Sequence, residues 1–144
     1  MIYRDITYTD YNGNERTDRF YFNLSRAELL RMQFTENGEG LEKKLQNIIK
    51  SNNNELIWKT FEEIVYNAVG IKSVDGKQFD KSVNAKKQFT ESEAYSEFLY
   101  MLMTGNYGKD PDYASKFISG LIDQEALNNT MKRIDAQNNL SLVN

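Results

Sequence analysis

The residues best placed to do chemistry lie in "DYNGNE", residues 10–15. Asp10, Asn12, Asn14 and Glu15 offer carboxylate and amide oxygens at nearly alternate positions, the donor type that Ca²⁺ prefers. A helix–loop–helix calcium loop needs Gly at its sixth position and a bidentate Glu at its twelfth. Counted from Asp10, Gly13 is fourth and the twelfth residue is Tyr21. A turn accounts for the same residues without a ligand. Asn12-Gly13 between two alternating runs is a preferred type I′ pair, with positive φ at both central residues. In "DGKQFDKS", residues 75–82, Asp75, Lys77 and Asp80 would form an acid–base pair if they converged, and a solvated loop if they did not. "GEGLEKK", residues 38–44, has the glycines and lysine of a phosphate loop without its GxxxxGK[ST] spacing or a preceding strand, and reads as a helix start after a flexible turn. None of the three predicts a metal or a cofactor.

The composition narrows the chemistry further. The chain of 144 residues contains no His and no Cys. Disulfides, thiolate nucleophiles, Ser-His triads and Cys/His zinc sites are therefore excluded. Any catalysis would fall to carboxylates, Lys, Tyr or a carboxylate-bound Mg²⁺, and the reading is that of a non-enzyme. The net charge of −3, from 18 basic and 21 acidic residues, gives no electrostatic reason to expect nucleic acid or a membrane surface as partner. No apolar run is long enough to span a bilayer, and "MIYRDITYTD" has neither the apolar core nor the cleavage site of a secretion signal. A cytoplasmic protein is expected.

The elements that must position these residues follow from periodicity. "IYRDITYT" (2–9) puts Ile2, Ile6 and Tyr8 on one face and Tyr3, Asp5 and Thr7 on the other; "ERTDRFYF" (15–22) opposes Phe20 and Phe22 to Arg19 and Tyr21. The two predict a β-hairpin whose apolar face rests on helices or whose edge pairs with another chain. Ser25 and Glu28 form a capping box, with Leu24 and Leu29 as hydrophobic staple, and start a helix that runs to about Gln33 before "TENGEG" breaks it. Stripes at Leu41, Leu45, Ile48 and Ile49, and at Ile57, Phe61, Ile64, Val65 and Ala68 with Gly70 as C′ residue, predict a helical hairpin. Residues 72–82 read as a loop turning at Asp75-Gly76, with a helical stretch possible in "VNAKKQF". Thr90 and Glu93 repeat the capping-box spacing before a helix ending near Gly105. Asp110-Pro111 opens another, with Ala114, Phe117, Ile118 and Leu121, and a weaker helix covers 124–134. The expected fold is α+β. An N-terminal antiparallel β-hairpin (1–24) packs on a mainly α-helical body of about five or six helices (25–134), one domain with a frayed tail at 135–144.

Two features point to protein partners. "FLYMLM", residues 98–103, is apolar at six consecutive positions, where an amphipathic helix shows three or four in seven. Such a helix is central to the core, or packs on the core and touches another chain as well; methionines supply adaptable contact. Nine tyrosines include Tyr3, Tyr8, Tyr11 and Tyr21 around the hairpin, and tyrosine is favoured at interfaces. Stacking on single-stranded nucleic acid would also want a basic groove. Arg4, Arg16 and Arg19 are instead offset by Asp5, Asp10, Glu15 and Asp18. The candidate interface residues are Tyr3, Tyr8, Tyr21, Phe98, Tyr100, Met101 and Met103.

The stretches "TYTDYNGNERTDRFYFNLSRAELLRM" (7–32), "FEEIVYNAVGIKSVDGKQFDKS" (61–82), "FTESEAYSEFLYML" (89–102) and "ASKFISGLI" (114–122) carry a resemblance. In that order the chain resembles a family of small proteins from tailed, siphovirus-type phages and prophages of Gram-positive bacteria. The family's members are described as tail assembly chaperones. The resemblance implies a non-catalytic protein, without cofactor, that coats the helical tape-measure protein and helps recruit tail-tube subunits. It would act in the host cytoplasm during assembly and be absent from the finished virion. Self-association is compatible with this role. The alternative is a virion structural protein, a tail or head component that assembles through the same surfaces. Residues 123–144 fall outside the resemblance.

Overall fold

Strand periodicity decides the N-terminal segment of the molecule. The computed structural model describes residues 1–34, 47–121 and 136. β1 (Ile2–Thr9) and β2 (Glu15–Phe22) pair antiparallel in unbroken register from Ile2 opposite Phe22 to Thr9 opposite Glu15. The side chains sort as the alternation predicts, with Ile6 and Phe22 fully buried on one face and Tyr3 and Asp5 exposed on the other. The turn differs from the expected type I′. Gly13 has φ of +82°, whereas Asn12 keeps a negative φ. The Gly13 amide donates to the Asp10 carbonyl, and the Asp10 carboxylate accepts from the Asn12 and Asn14 amides at 3.0 and 2.9 Å. An Asp that caps its own turn makes positive φ at Asn12 unnecessary.

The hairpin is half of a larger sheet. After α1 (Arg26–Phe34) and α2 (Asn54–Ala68), the chain enters β3 (Val69–Lys72) and β4 (Phe79–Asp80), giving a four-stranded antiparallel sheet in the order β1-β2-β3-β4. Two expectations are thereby corrected. Residues 72–82 are a second small hairpin rather than a plain loop. Gly70 lies within β3 opposite Tyr21 and caps nothing; α2 ends at Val69 in extended geometry. A Cβ at Gly70 would stand 2.7 Å from the Asp80 carbonyl and 2.8 Å from the Phe79 ring, so β4 crosses where only glycine fits. Strands of four and two residues are too short for alternation to reveal them.

The remaining helices are α3 (Val83–Thr90), α4 (Glu93–Thr104) and α5 (Tyr113–Leu121). With the helical turn at 47–50, the described residues hold five helices and the end of a sixth. The expected helix at 124–134, the break at 35–40 and Leu41 and Leu45 of the expected stripe lie outside the described residues; of its other members Ile48 is partly buried and Ile49 is exposed. The core gathers Ile6, Phe22, Leu29, Phe61, Ile64, Val65, Phe89, Phe98, Leu102 and Phe117. Phe22 is its hub, with ring centroids 5.1 Å from Phe98, 5.2 Å from Phe117 and 5.7 Å from Phe89. α4 crosses beneath β1, and α5 approaches Ile2 so closely that a Cβ at Gly120 would meet its Cγ2 at 2.8 Å.

Helix ends follow the local chemistry, with one exception. Ser25 and Glu28 make the reciprocal capping box, Ser25 N to Glu28 Oε1 at 3.0 Å and Glu28 N to Ser25 Oγ at 3.2 Å. Gly105 closes α4 with φ of +64°. The Asp110 carboxylate accepts the Asp112 amide ahead of α5. The second capping box is not formed, because Thr90 is still the last residue of α3; Ser92 caps α4 by position only, its hydroxyl donating back to the Phe89 carbonyl.

Candidate protein-interaction surfaces

The carboxylates of "DGKQFDKS" do not converge. Asp75 accepts from the Ser73 hydroxyl and the Lys77 amide, and Asp80 from the Ser82 amide at 2.8 Å. These amides hold both carboxyls below their ordinary range. The two residues shape turns.

The lysines that follow are structural. Lys81 Nζ donates to the Asn23 carbonyl at 2.6 Å and to both Glu28 oxygens at 2.8 and 3.0 Å, tying β4 to the capping box. Burial pushes the Glu28 carboxyl up, but Lys81 and the Ser25 amide and hydroxyl outweigh it, and the net shift is downward. Lys86, 8 % exposed, donates to the Tyr66 carbonyl and, at 3.0 Å, to the Val69 carbonyl. It thereby satisfies carbonyls at the end of α2, where a cation is favoured. Burial and the charge of Lys81 push its ammonium pKa down. Among the described residues no group of three or more acidic residues is placed to hold a metal, and no helix is long and apolar enough to cross a membrane.

Exposed tyrosines cluster in two places, while Tyr11, Trp58 and Tyr66 are exposed elsewhere. On the outer sheet face Tyr3, 48 % exposed, stands 6.0 Å from the Tyr21 ring. The Arg19 guanidinium lies 4.0 Å over Tyr3 while bonding Asp5 at 2.7 and 3.0 Å, which fixes it and lowers the Asp5 pKa. Lys72 sits 5.8 Å from the Tyr21 ring.

The second surface is an open cleft of about 360 Å³ at the turn end of β1, lined by Tyr8, Thr9, Glu93, Ser96, Glu97, Tyr100 and Tyr107. Tyr100 and Tyr107 are each 51 % exposed, with rings 5.2 Å apart. The Tyr107 hydroxyl donates to Glu97, and that bond pushes its pKa up to about 12. The Tyr8 hydroxyl donates to Asp18 and is pushed up chiefly by burial. The loop returning from α4 holds both Asn106 and Tyr107 at positive φ, an uncommon conformation for such residues. A Cβ on Gly105 would stand 2.8 Å from the Asp110 carbonyl in this loop.

Of the residues singled out in the sequence, Tyr3 and Tyr21 stand together on the sheet face, and Tyr8 and Tyr100 share the cleft. Phe98 is wholly enclosed in the core and belongs to no surface of this fold. Met101 is half-buried, and Met103 packs against the core. The apolar run of α4 is thus mostly core, because Phe98, Leu99 and Leu102 share its buried face. Sequence reasoning missed Glu93, Glu97 and Tyr107. Glu93, Glu97 and Tyr100 at i, i+4 and i+7 form a legible stripe; the return of Tyr107 depends on the left-handed loop and has no signal of its own.

Neither a curated protein nor a solved structure matches the chain. The model of a family described as phage tail assembly chaperone matches residues 1–142, extending past the 7–122 span of the resemblance noted above. Covering nearly the whole sequence, that match shows that the chain belongs to the phage tail assembly chaperone family.

Proposed function

We propose that the protein binds the tape-measure protein and helps recruit tail-tube subunits to it, without catalysing a reaction. The observation that carries this reading is the mounting of tyrosines in two exposed patches on an aromatic core. Several of their hydroxyls or rings are held by a carboxylate or a cation. Preset amphipathic rings lose little entropy on contact and suit a long helical client. The protein acts in the host cytoplasm while the tail is built and leaves before the virion is complete.

The test is coexpression of the full chain with the tape-measure protein and pull-down through either partner. The expected result is a soluble complex that recruits tail-tube protein. A tape-measure protein that neither binds nor gains solubility overturns the reading. A second reading, a virion component, is favoured by the open strand edge described below. Purified particles decide between the two: a component is present at fixed copy number, a chaperone is absent.

A further inference from the structure

The phase of hydrogen bonding along β1 leaves one side of it open among the described residues. The Asp10 amide donates to the Asn14 carbonyl, so the pair closing the hairpin is a hydrogen-bonded one. Counting back by twos, Tyr8, Ile6, Arg4 and Ile2 direct their amides and carbonyls at β2, and Tyr3, Asp5, Thr7 and Thr9 direct theirs away. The phase on β2 agrees, because its odd residues face β3, where Tyr21 meets Gly70 and the Asn23 amide reaches the Ala68 carbonyl. Arg4 Nη1 covers the Tyr3 carbonyl at 2.8 Å. The outward backbone groups of Asp5, Thr7 and Thr9 have no partner among the described residues. The opposite edge of the sheet, β4, is two residues long and protected by its brevity. β1 is eight residues long and carries no Pro and no Lys.

We propose that β1 pairs antiparallel, across a two-fold axis, with β1 of a second copy of this chain, joining two four-stranded sheets into one of eight. The side chains select the register. Outward-bonding residues are odd-numbered, so odd must face odd. An axis at Asp5 sets carboxylate against carboxylate; axes at Arg4 or Thr7 run the pairing off the strand. An axis at Ile6 spans residues 3–9, sets Asp5 opposite Thr7 and Tyr3 opposite Thr9, and has the Tyr3 carbonyl exchange Arg4 for the Thr9 amide of the second copy. On the other face it sets Arg4 of the second copy opposite Tyr8, beside the cleft of Glu93 and Glu97, which has no basic residue in its lining. The cleft is thus complementary in charge to the side chain this register brings to it. The dimer goes beyond client binding, since a monomer could still hold a tape-measure protein, and the two claims fail separately.

Thr7→Pro tests the pairing. Its ring removes an amide that points away from β2, so the intrachain ladder keeps its bonds. Thr7→Val is the control, as it loses the 2.7 Å hydroxyl contact with Thr17 but keeps the amide. Analytical ultracentrifugation of the full chain should show a concentration-dependent dimer for the wild type and Thr7→Val. Thr7→Pro should raise the dissociation constant about tenfold or more. Amide exchange on the wild type reads the same surface without a variant. The Asp5, Thr7 and Thr9 amides should gain protection as concentration rises, while those of Arg4, Ile6 and Tyr8 are protected throughout. A wild type monomeric at every concentration overturns the proposal. So does Thr7→Pro dimerising as well as Thr7→Val, or protection of the odd amides that appears only when a client is added.

Discussion

The enclosed phenylalanines and the exposed tyrosines are the same class of side chain put to opposite use. Phe22, Phe98 and Phe117 are fully buried and touch ring to ring. Tyr3, Tyr100 and Tyr107 are about half exposed, and their partners are a guanidinium, a carboxylate or one another. The comparison shows how the chain keeps aromatic area at its surface. A Phe must find other apolar atoms, whereas a Tyr can rest its ring on a neighbour and leave its hydroxyl to water or a carboxylate. On the proposed function, the first group supplies stability and the second recognition.

The sharpest way to break that division is Phe98→Ala, which opens a cavity beside Phe22 and should cost about 3–5 kcal/mol, read as a lower denaturant midpoint. Next is Lys86→Met, which leaves the Tyr66 and Val69 carbonyls short of a donor and should cost about 1–3 kcal/mol. Glu28→Gln should cost about 1 kcal/mol by weakening the bond to Lys81. Because the folded Glu28 pKa lies below its unfolded value, its contribution is present above the unfolded pKa and lost as pH falls through the folded one. Acid unfolding curves of wild type and Glu28→Gln should therefore converge at low pH. Smaller still, Tyr3→Ser with Tyr100→Ser should shift stability by no more than about 1 kcal/mol yet weaken client capture. A loss like that of Phe98→Ala would erase the distinction between the two groups. The smallest effect is that of Tyr107→Phe, which should remove a tyrosine titrating near pH 12 from the ultraviolet titration. Since its folded pKa is raised, the Glu97 bond is intact below pH 10 and lost as pH rises toward 12.

Long periodic elements were legible in the sequence, and contacts made by chain return were not. Alternation over eight residues in β1 and in β2 sorted every face correctly. The stripe Phe61, Ile64, Val65 and Ala68 named the buried face of α2. β3 and β4 were missed because two to four residues carry no period, and because Gly70, which reads as a helix stop, serves a close strand crossing. The type I′ reading of Asn12-Gly13 failed because Asp10 could cap the turn by itself. For the surfaces, the tyrosine clustering pointed to Tyr3 and Tyr21. Phe98 was misplaced because an unbroken apolar run hides which three residues share the inner face. The cleft needed Tyr107, which only the geometry of the 105–110 loop brings back to Tyr100.

The pairing of Tyr21 with Gly70 sets an order on biosynthesis. The first hairpin closes over a short turn and can form within microseconds. Its second strand stays uncovered until translation has delivered the segment some fifty positions downstream. Until then the nascent ribbon has no third strand beside it, the condition in which strands stick to the wrong neighbour. Slowing the ribosome just after the first hairpin should therefore lower the soluble yield more than slowing it after Asp80.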